Sequence, residues 1–225
     1  AAVVCYTDAL KLDAKHVKAL FNRGFAYDKL GMYAEAVDDY SNAIIQMPSN
    51  PYAYYNRGIS RDRMGMLNEA LEDFSKAISL QTANADFYHN RGFCLRKMGR
   101  LKEAIDDYTN SLAIEPNHFK ALHNRAYCRE QDGEIDAAIH DYTSALGLRP
   151  YHTSSLNARA KLLERQGKYD EALKDLGAIV VATLNGNNTN TSGSNSNNDS
   201  NKEPIDEVAV AASYVSRARL LELLN

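Results

Sequence analysis

Apolar residues recur along this chain at helical spacing, in pairs of short segments that a glycine separates. In one pair, Tyr55 and Ile59 precede Gly65, and Leu71 and Phe74 follow it. Spacings of three and four residues place apolar side chains on one face of an α-helix. The pattern therefore predicts pairs of amphipathic helices joined at a glycine.

The helix pairs repeat every 34 residues. The five units begin at Val17, Pro51, Ala85, Phe119 and Thr153. Places within a unit are numbered from its first residue. The fifteenth place is always glycine and the twentieth always alanine. A period of this length is typical of stacked helical hairpins, in which each repeat contacts only its neighbours. The fold is therefore predicted to be all-α.

Further places support the hairpin interpretation. Glycine at the fifteenth place suits the left-handed residue that closes a helix. Pro48, Pro116 and Pro150 at the thirty-second place stop the second helix. Small residues at the eighth and twentieth places let the two helices approach, and we expect the ring at the twenty-fourth place to fill the space between units.

This spacing resembles the tetratricopeptide repeat. The family's large residue, glycine, large residue, alanine, aromatic residue and proline fall at Leu20, Gly24, Tyr27, Ala36, Tyr40 and Pro48. Arg61 and Arg129 depart from the family pattern, which prefers a tyrosine there. The resemblance covers roughly residues 1–182 and 211–225. It implies an α-α superhelix of stacked tetratricopeptide-type helical hairpins.

The chain is predicted to contain four segments. Residues 1–16 match the second helix of a truncated repeat, and residues 17–183 form five repeats. Residues 184–204 are predicted to be a disordered Asn/Ser-rich insertion, because residues 185–201 hold nothing to bury. Residues 205–225 match the first helix of a partial sixth repeat or a capping helix. Both ends stop inside a unit, so we expect a segment of a longer protein.

Composition excludes several classes of partner. A formal net charge of -3 and a pI of about 6.1 provide no basic field for nucleic acid or an anionic membrane. No apolar run approaches the roughly 20 residues of a membrane span. Cys5, Cys94 and Cys128 are too few and too scattered for a disulfide framework. We therefore expect a reducing compartment, the cytoplasm, with the nucleus as the alternative.

No motif for chemistry stands out. His118, His123, His140 and His152 fall near the fourth unit, but no CxxC or HExxH spacing accompanies them, and we interpret them as surface histidines. No nucleophilic triad, phosphate loop or paired-carboxylate pocket is evident. The sequence therefore predicts no catalytic residue, no metal and no cofactor, and a protein that is not an enzyme.

Arginine occupies the seventh place and aspartate the twenty-third place of every unit. The pairs are Arg23 and Asp39, Arg57 and Asp73, Arg91 and Asp107, Arg125 and Asp141, and Arg159 and Asp175. On packed helices such matched series predict repeated structural ion pairs. The alternative is an arginine stripe for a phosphorylated ligand, and a matched carboxylate for every arginine speaks against it.

Asparagine occupies the sixth place of four units, until Ala158 breaks the series. In tetratricopeptide superhelices the first helix lines the concave face through its second, fifth, sixth and ninth places. A carboxamide both donates and accepts, so it can pair with a peptide backbone of any sequence. The resemblance thus predicts a groove lined by Asn22, Asn56, Asn90, Asn124, Phe21, Phe25, Tyr55, His89, Phe93, His123 and Tyr127. The alternative is that these asparagines cap or bridge neighbouring helices.

The resemblance also suggests how the groove works. The series is similar to the asparagine ladder in the repeat domain of O-linked N-acetylglucosamine transferase. The carboxylate clamp of Hsp70 and Hsp90 co-chaperones needs lysine and asparagine at the fifth and ninth places, which here are aromatic residues, histidine or isoleucine in the first four units. The fifth unit carries Asn157 and Lys161 there in reversed order. No unit carries the arginine that the clamp also needs at the sixth place, so the sequence predicts no carboxylate clamp.

The function that follows is a protein-protein interaction scaffold or adaptor that binds an extended peptide in its concave groove. One alternative is the substrate-recognition repeat region of a larger, glycosyltransferase-like enzyme. Another is a structural subunit of a multiprotein assembly. Self-association through the terminal repeats is an additional expectation, because uncapped array ends tend to associate.

Overall fold

The computed structural model describes residues 2–188 and, after them, only the helical residues 218 and 222. Residues 2–188 form eleven α-helices and no strand. The helices are α1 (Ala2–Leu12), α2 (Val17–Lys29), α3 (Tyr33–Gln46), α4 (Pro51–Arg63), α5 (Leu67–Leu80), α6 (Ala85–Lys97), α7 (Leu101–Ile114), α8 (Phe119–Asp132), α9 (Ile135–Leu148), α10 (Thr153–Arg165) and α11 (Tyr169–Asn188). Most of the predicted insertion and of the predicted partial sixth repeat lies outside the described residues.

The chain divides into two compact units, Ala1–Asn124 and Arg125–Asn225. In the first unit, α2 pairs with α3, α4 with α5 and α6 with α7, and each hairpin packs on the next. There α4 also touches both α2 and α6, so the first helices of successive repeats form one continuous face. In the second unit, α9 packs on α10 and α10 on α11. The prediction of stacked helical hairpins is confirmed.

Glycine closes the first helix of each hairpin. Gly31 has φ 76° and Gly133 has φ 88°, a region that L side chains rarely adopt. Beyond Gly31, the N–H of Met32 donates to the carbonyl of Tyr27 at 3.0 Å, five residues back. This bond satisfies a carbonyl at the helix end and turns the chain into the second helix.

The residue before each first helix caps it. Asn84 accepts the N–H of Phe87 on its side-chain oxygen at 3.3 Å. His118 and His152 accept the N–H of Ala121 and of Ser155 on Nδ1, each at 3.1 Å. An unprotonated ring nitrogen replaces the oxygen of an asparagine cap. The expectation of surface histidines is therefore wrong for His118 and His152, which are buried.

Aromatic rings at the twenty-fourth place occupy the interior of the first four hairpins. Tyr40, Phe74, Tyr108 and Tyr142 are buried, as are the alanines at the twentieth place. A Cβ atom at Gly58 would lie 2.9 Å from Cε1 of Phe74, closer than real Cβ contacts. The eighth place must therefore be small where it faces the ring.

The last described helix is longer than the sequence suggests. The second helices before it end ahead of a proline or threonine at the thirty-second place, but Leu184 occupies that place in the fifth repeat. Because leucine gives no stop signal, α11 continues to Asn188, past residue 184, where the sequence predicts the insertion to begin.

Replacing Gly58 by alanine tests the close approach. We expect Gly58→Ala to lower the free energy of unfolding by about 1 kcal/mol, because overpacking costs about 1–3 kcal/mol and helix propensity returns about 1 kcal/mol. Gly177→Ala is the matched control, since a Cβ atom added there would have no neighbouring atom within 4 Å. It should raise stability by about 0.5–1 kcal/mol. Urea denaturation measures both, and equal stabilisation by both would contradict the packing argument.

Candidate functional site

Each arginine of the seventh place forms a two-pronged ion pair with the aspartate of the same repeat. Its Nε donates to Oδ2 and its Nη2 to Oδ1, at distances between 2.6 and 3.0 Å. All five aspartates are buried. Hydrogen bonds to Asp39 and Asp107 raise the pKa of Arg23 and of Arg91 above the ordinary arginine value. The pairs join the first helix of a repeat to its second.

The same arginines also reach the preceding repeat. In the first unit, Nη1 of Arg57 donates to the hydroxyl of Ser41 at 3.0 Å, and Nη1 of Arg91 to that of Ser75 at 3.3 Å. In the second, Nη1 of Arg159 donates to the hydroxyl of Thr143 at 2.9 Å. A hydroxyl at the twenty-fifth place is the sequence signal for this contact, which was not predicted. Each of these arginines thus ties three helices together.

Two repeats add a second guanidinium. Nη1 of Arg61 donates to Oδ2 of Asp73 at 2.7 Å, and Nη1 of Arg129 donates to Oδ2 of Asp141 at the same distance. These arginines stand where the family prefers a tyrosine. Asp73 therefore neutralises two cations, whereas Asp107 pairs with the guanidinium of Arg91.

Asp73→Asn is expected to destabilise the first unit by about 3–5 kcal/mol, because it leaves two half-buried guanidinium groups without a counter-charge. Asp107→Asn should cost less, since one guanidinium loses its partner. Asp106→Asn is the control, because Asp106 is exposed and should change stability by less than about 0.5 kcal/mol. Urea denaturation at fixed pH compares the three. An Asp73→Asn cost equal to that of Asp106→Asn would contradict the ion-pair role.

Most of the predicted groove residues of the first unit lie together on the face formed by α2, α4, α6 and the start of α8 (hereafter the first-helix face). Asn22 is exposed, and Asn56, Asn90 and Asn124 are half-buried. Phe25 and Tyr52 are 46% and 45% exposed, so they offer ring surface to solvent. Half-buried aromatic residues of this face are Phe21, Tyr55, Phe93 and His123. Tyr127 belongs to the second unit and is 39% exposed.

Basic side chains lie over two of these rings. Nζ of Lys29 is 5.1 Å from the ring centre of Phe25, and Arg96 and Lys97 lie 4.7 and 4.9 Å from that of Phe93. The second place, in contrast, carries both signs of charge, with Lys18 and Asp86 exposed. The face therefore combines rings and carboxamides with charges of both signs.

The asparagines differ in their hydrogen bonds. Nδ2 of Asn56 donates to the carbonyl of Tyr52 at 2.8 Å. Nδ2 of Asn90 donates to the carbonyl of Asp86 at 2.9 Å and to the phenol oxygen of Tyr55 at 2.8 Å. Asn22 has no such partner among the described residues. The alternative interpretation, in which asparagines bridge neighbouring helices, therefore describes Asn90 but not Asn22.

His89 is more buried than the other predicted groove residues of the first unit. It is 8% exposed, its ring stacks on that of His118 at 4.9 Å, and its Nε2 lies 3.1 Å from Nδ2 of Asn124. His89 thus turns toward the next hairpin and offers little surface to a ligand on the first-helix face. Burial and the nearby His118 lower the pKa of His89 to about 4.

The burial of His89 should make the free energy of unfolding fall as the pH is lowered. Its pKa is lower in the folded chain than in the unfolded chain, so the unfolded state binds more protons between pH 6.5 and about 4. Over that fall in pH, the wild type should lose about 3 kcal/mol more stability than His89→Phe. Phenylalanine is the control because Phe21 occupies the same place in the first repeat. Urea titrations from pH 7 to 4 measure the difference, and parallel curves would contradict it.

Repeated hairpins, each with its two helices joined by a partly buried ion pair, and one face of rings and carboxamides define a helical-repeat interaction protein. Models of the tetratricopeptide repeat (TPR) match residues 17–50, 51–81 and 85–118, and a second such model matches residues 126–188. The chain belongs to the tetratricopeptide repeat family. It is a protein-interaction scaffold with the α-α superhelical fold class of that family.

Solved structures agree with this assignment. MamA is 25% identical, covering 66% of this chain and 86% of its own, with a TM-score of 0.64. YrrB, a TPR protein with an unusual peptide-binding site, is 20% identical, with coverages of 79% and 91% and a TM-score of 0.67. The first TPR of Spaghetti (RPAP3), bound to the HSP90 peptide SRMEEVD, is 29% identical, with coverages of 54% and 96% and a TM-score of 0.52.

No curated protein matches this sequence at a significant level. Among the helices that the structure describes, none has the length and apolar character that crossing a membrane requires.

Proposed function

We propose that this chain is an adaptor whose first-helix face binds an extended peptide through Asn22, Asn56, Asn90 and Asn124. The observation that carries the proposal is the alignment of these carboxamides with solvent-exposed rings along α2, α4, α6 and the start of α8. Carboxamides can bond to the peptide units of a ligand, and the rings supply apolar contact.

The charges of the face favour recognition of the ligand backbone over recognition of one charged group. The second places of the first unit hold Lys18, Tyr52, Asp86 and Lys120, so no single sign of charge runs along them. Phe21 and Phe25 stand where a carboxylate clamp would need lysine and asparagine. Although RPAP3 is bound to an acidic HSP90 peptide, we expect this chain to prefer peptides without an acidic terminus.

Replacing all four asparagines by alanine tests the proposal. The probe is a peptide selected from a random library against the wild-type chain. Each neutral hydrogen bond contributes about 1 kcal/mol, so a single change should weaken binding about fivefold and all four together about 100- to 1,000-fold. Isothermal titration calorimetry measures the Kd of each variant.

Asn110→Ala is the matched control, because Asn110 is an exposed asparagine on α7, a second helix. It should leave the Kd unchanged. Circular dichroism checks that the quadruple variant keeps its helical content, since Asn90 and Asn124 also contact the preceding repeat. An unchanged Kd in a folded quadruple variant would refute the proposal, as would a library that yields no binding peptide.

A further inference from the structure

Successive repeats of the first unit are joined by a bond between the fifth and sixth places. Tyr55 accepts from Nδ2 of Asn90 at 2.8 Å, and Nε2 of His89 lies 3.1 Å from Nδ2 of Asn124. Both pairs are 35 residues apart. The fifth place of the first repeat is Phe21, which has no acceptor, and among the described residues Asn56 bonds to its own helix alone.

We infer that Tyr55 and His89 are positioning residues of the proposed peptide-binding face. Each accepts a carboxamide N–H from the asparagine of the next repeat and thereby fixes the orientation of that amide group. The functional meaning of this inference rests on the proposed function, but the bonds themselves do not. Asn90 and Asn124 are therefore held before any ligand arrives, whereas no described residue of the preceding repeat holds Asn22 or Asn56.

The two acceptors are themselves held by ring contacts. The ring of Tyr55 lies 4.8 Å from that of Phe87 and 6.0 Å from that of Phe74. His89 stacks on His118 and lies 5.8 Å from the ring of Tyr108. A supporting residue locked by packing keeps the group that it contacts in place. Because an amide nitrogen only donates, His89 must be neutral to accept, and burial favours its neutral form.

The hydrogen bonds of Asn90 determine which of its polar atoms remain available to a ligand. A carboxamide has two N–H donors, and those of Asn90 go to Tyr55 and to the carbonyl of Asp86. Its Oδ1 is then the one polar atom with remaining capacity. Tyr55 accepts with its oxygen and keeps its own O–H proton to donate. The pair of side chains thus presents one acceptor and one donor, where Asn56 presents both from a single residue.

This arrangement sets a requirement on the ligand. Beside Asn90 the peptide must supply a hydrogen-bond donor, such as a backbone N–H. A proline at that ligand position has no N–H and would leave Oδ1 without a partner. Tyr55 and His89 therefore act on specificity through the asparagines that they orient.

Reciprocal substitutions test the inference in the full chain without ligand. Tyr55→Phe removes the acceptor but keeps the ring, and Phe21→Tyr introduces an acceptor at the same place of the first repeat. Side-chain carboxamide signals in ¹⁵N-labelled protein report the bonds. In Tyr55→Phe, one Asn90 proton should shift upfield and exchange faster with water. In Phe21→Tyr, one Asn56 proton should shift downfield and become more protected.

Backbone amide spectra show whether each variant is folded. Unchanged Asn90 carboxamide signals in folded Tyr55→Phe would overturn the inference. If Tyr55→Phe fails to fold, Phe21→Tyr decides: unchanged Asn56 signals would overturn the inference, and a protected proton would support it. Because no ligand is present, these results are independent of the peptide-binding measurement. If the asparagine variants lose peptide binding but the carboxamide signals of Tyr55→Phe and Phe21→Tyr are unchanged, the proposed function stands and only the positioning role is refuted.

Discussion

Burial of an aspartate in every hairpin is the constraint on which the stack depends. A carboxylate removed from water is costly unless opposite charge and hydrogen bonds surround it. In the first unit, Asp73 has Arg57 and Arg61, and Arg57 also reaches Ser41 of the previous hairpin. These contacts form only when the three helices are in one register. The ion pair therefore selects a single packing among the many that an apolar seam would allow.

That selection also determines which residues face the ligand side. Arg57 turns toward its aspartate, and Asn56 precedes it by one residue on the same helix. Adjacent helical residues point about 100° apart, so anchoring the arginine directs the asparagine away from the hairpin interior. The constant register from repeat to repeat thus aligns the carboxamides. The series of ion pairs and the series of asparagines therefore both follow from the way each first helix is anchored.

The sequence predicts the parts of this structure that depend on residues within one repeat. The period places the helices, glycine at the fifteenth place predicts the turn, and small residues at the eighth and twentieth places predict the close approach of the two helices. Other features depend on pairs of residues in adjacent repeats, such as Tyr55 with Asn90, or on an unusual role, such as histidine as a helix cap. Their sequence signals are weak because each involves a side chain that varies between repeats.

Because the residue at the fifth place varies, the asparagines of successive repeats differ in the hydrogen bonds that they can offer. Phe21, Tyr55 and His89 occupy equivalent places, and each is a ring near the aromatic residue of its own hairpin. They differ in whether they accept a hydrogen bond. That difference changes how many donors the next asparagine has left, although the asparagine itself is the same in each of these repeats. A face built from repeats can therefore acquire a direction along the stack, with carboxamides that no neighbouring repeat orients at one end and oriented carboxamides at the other.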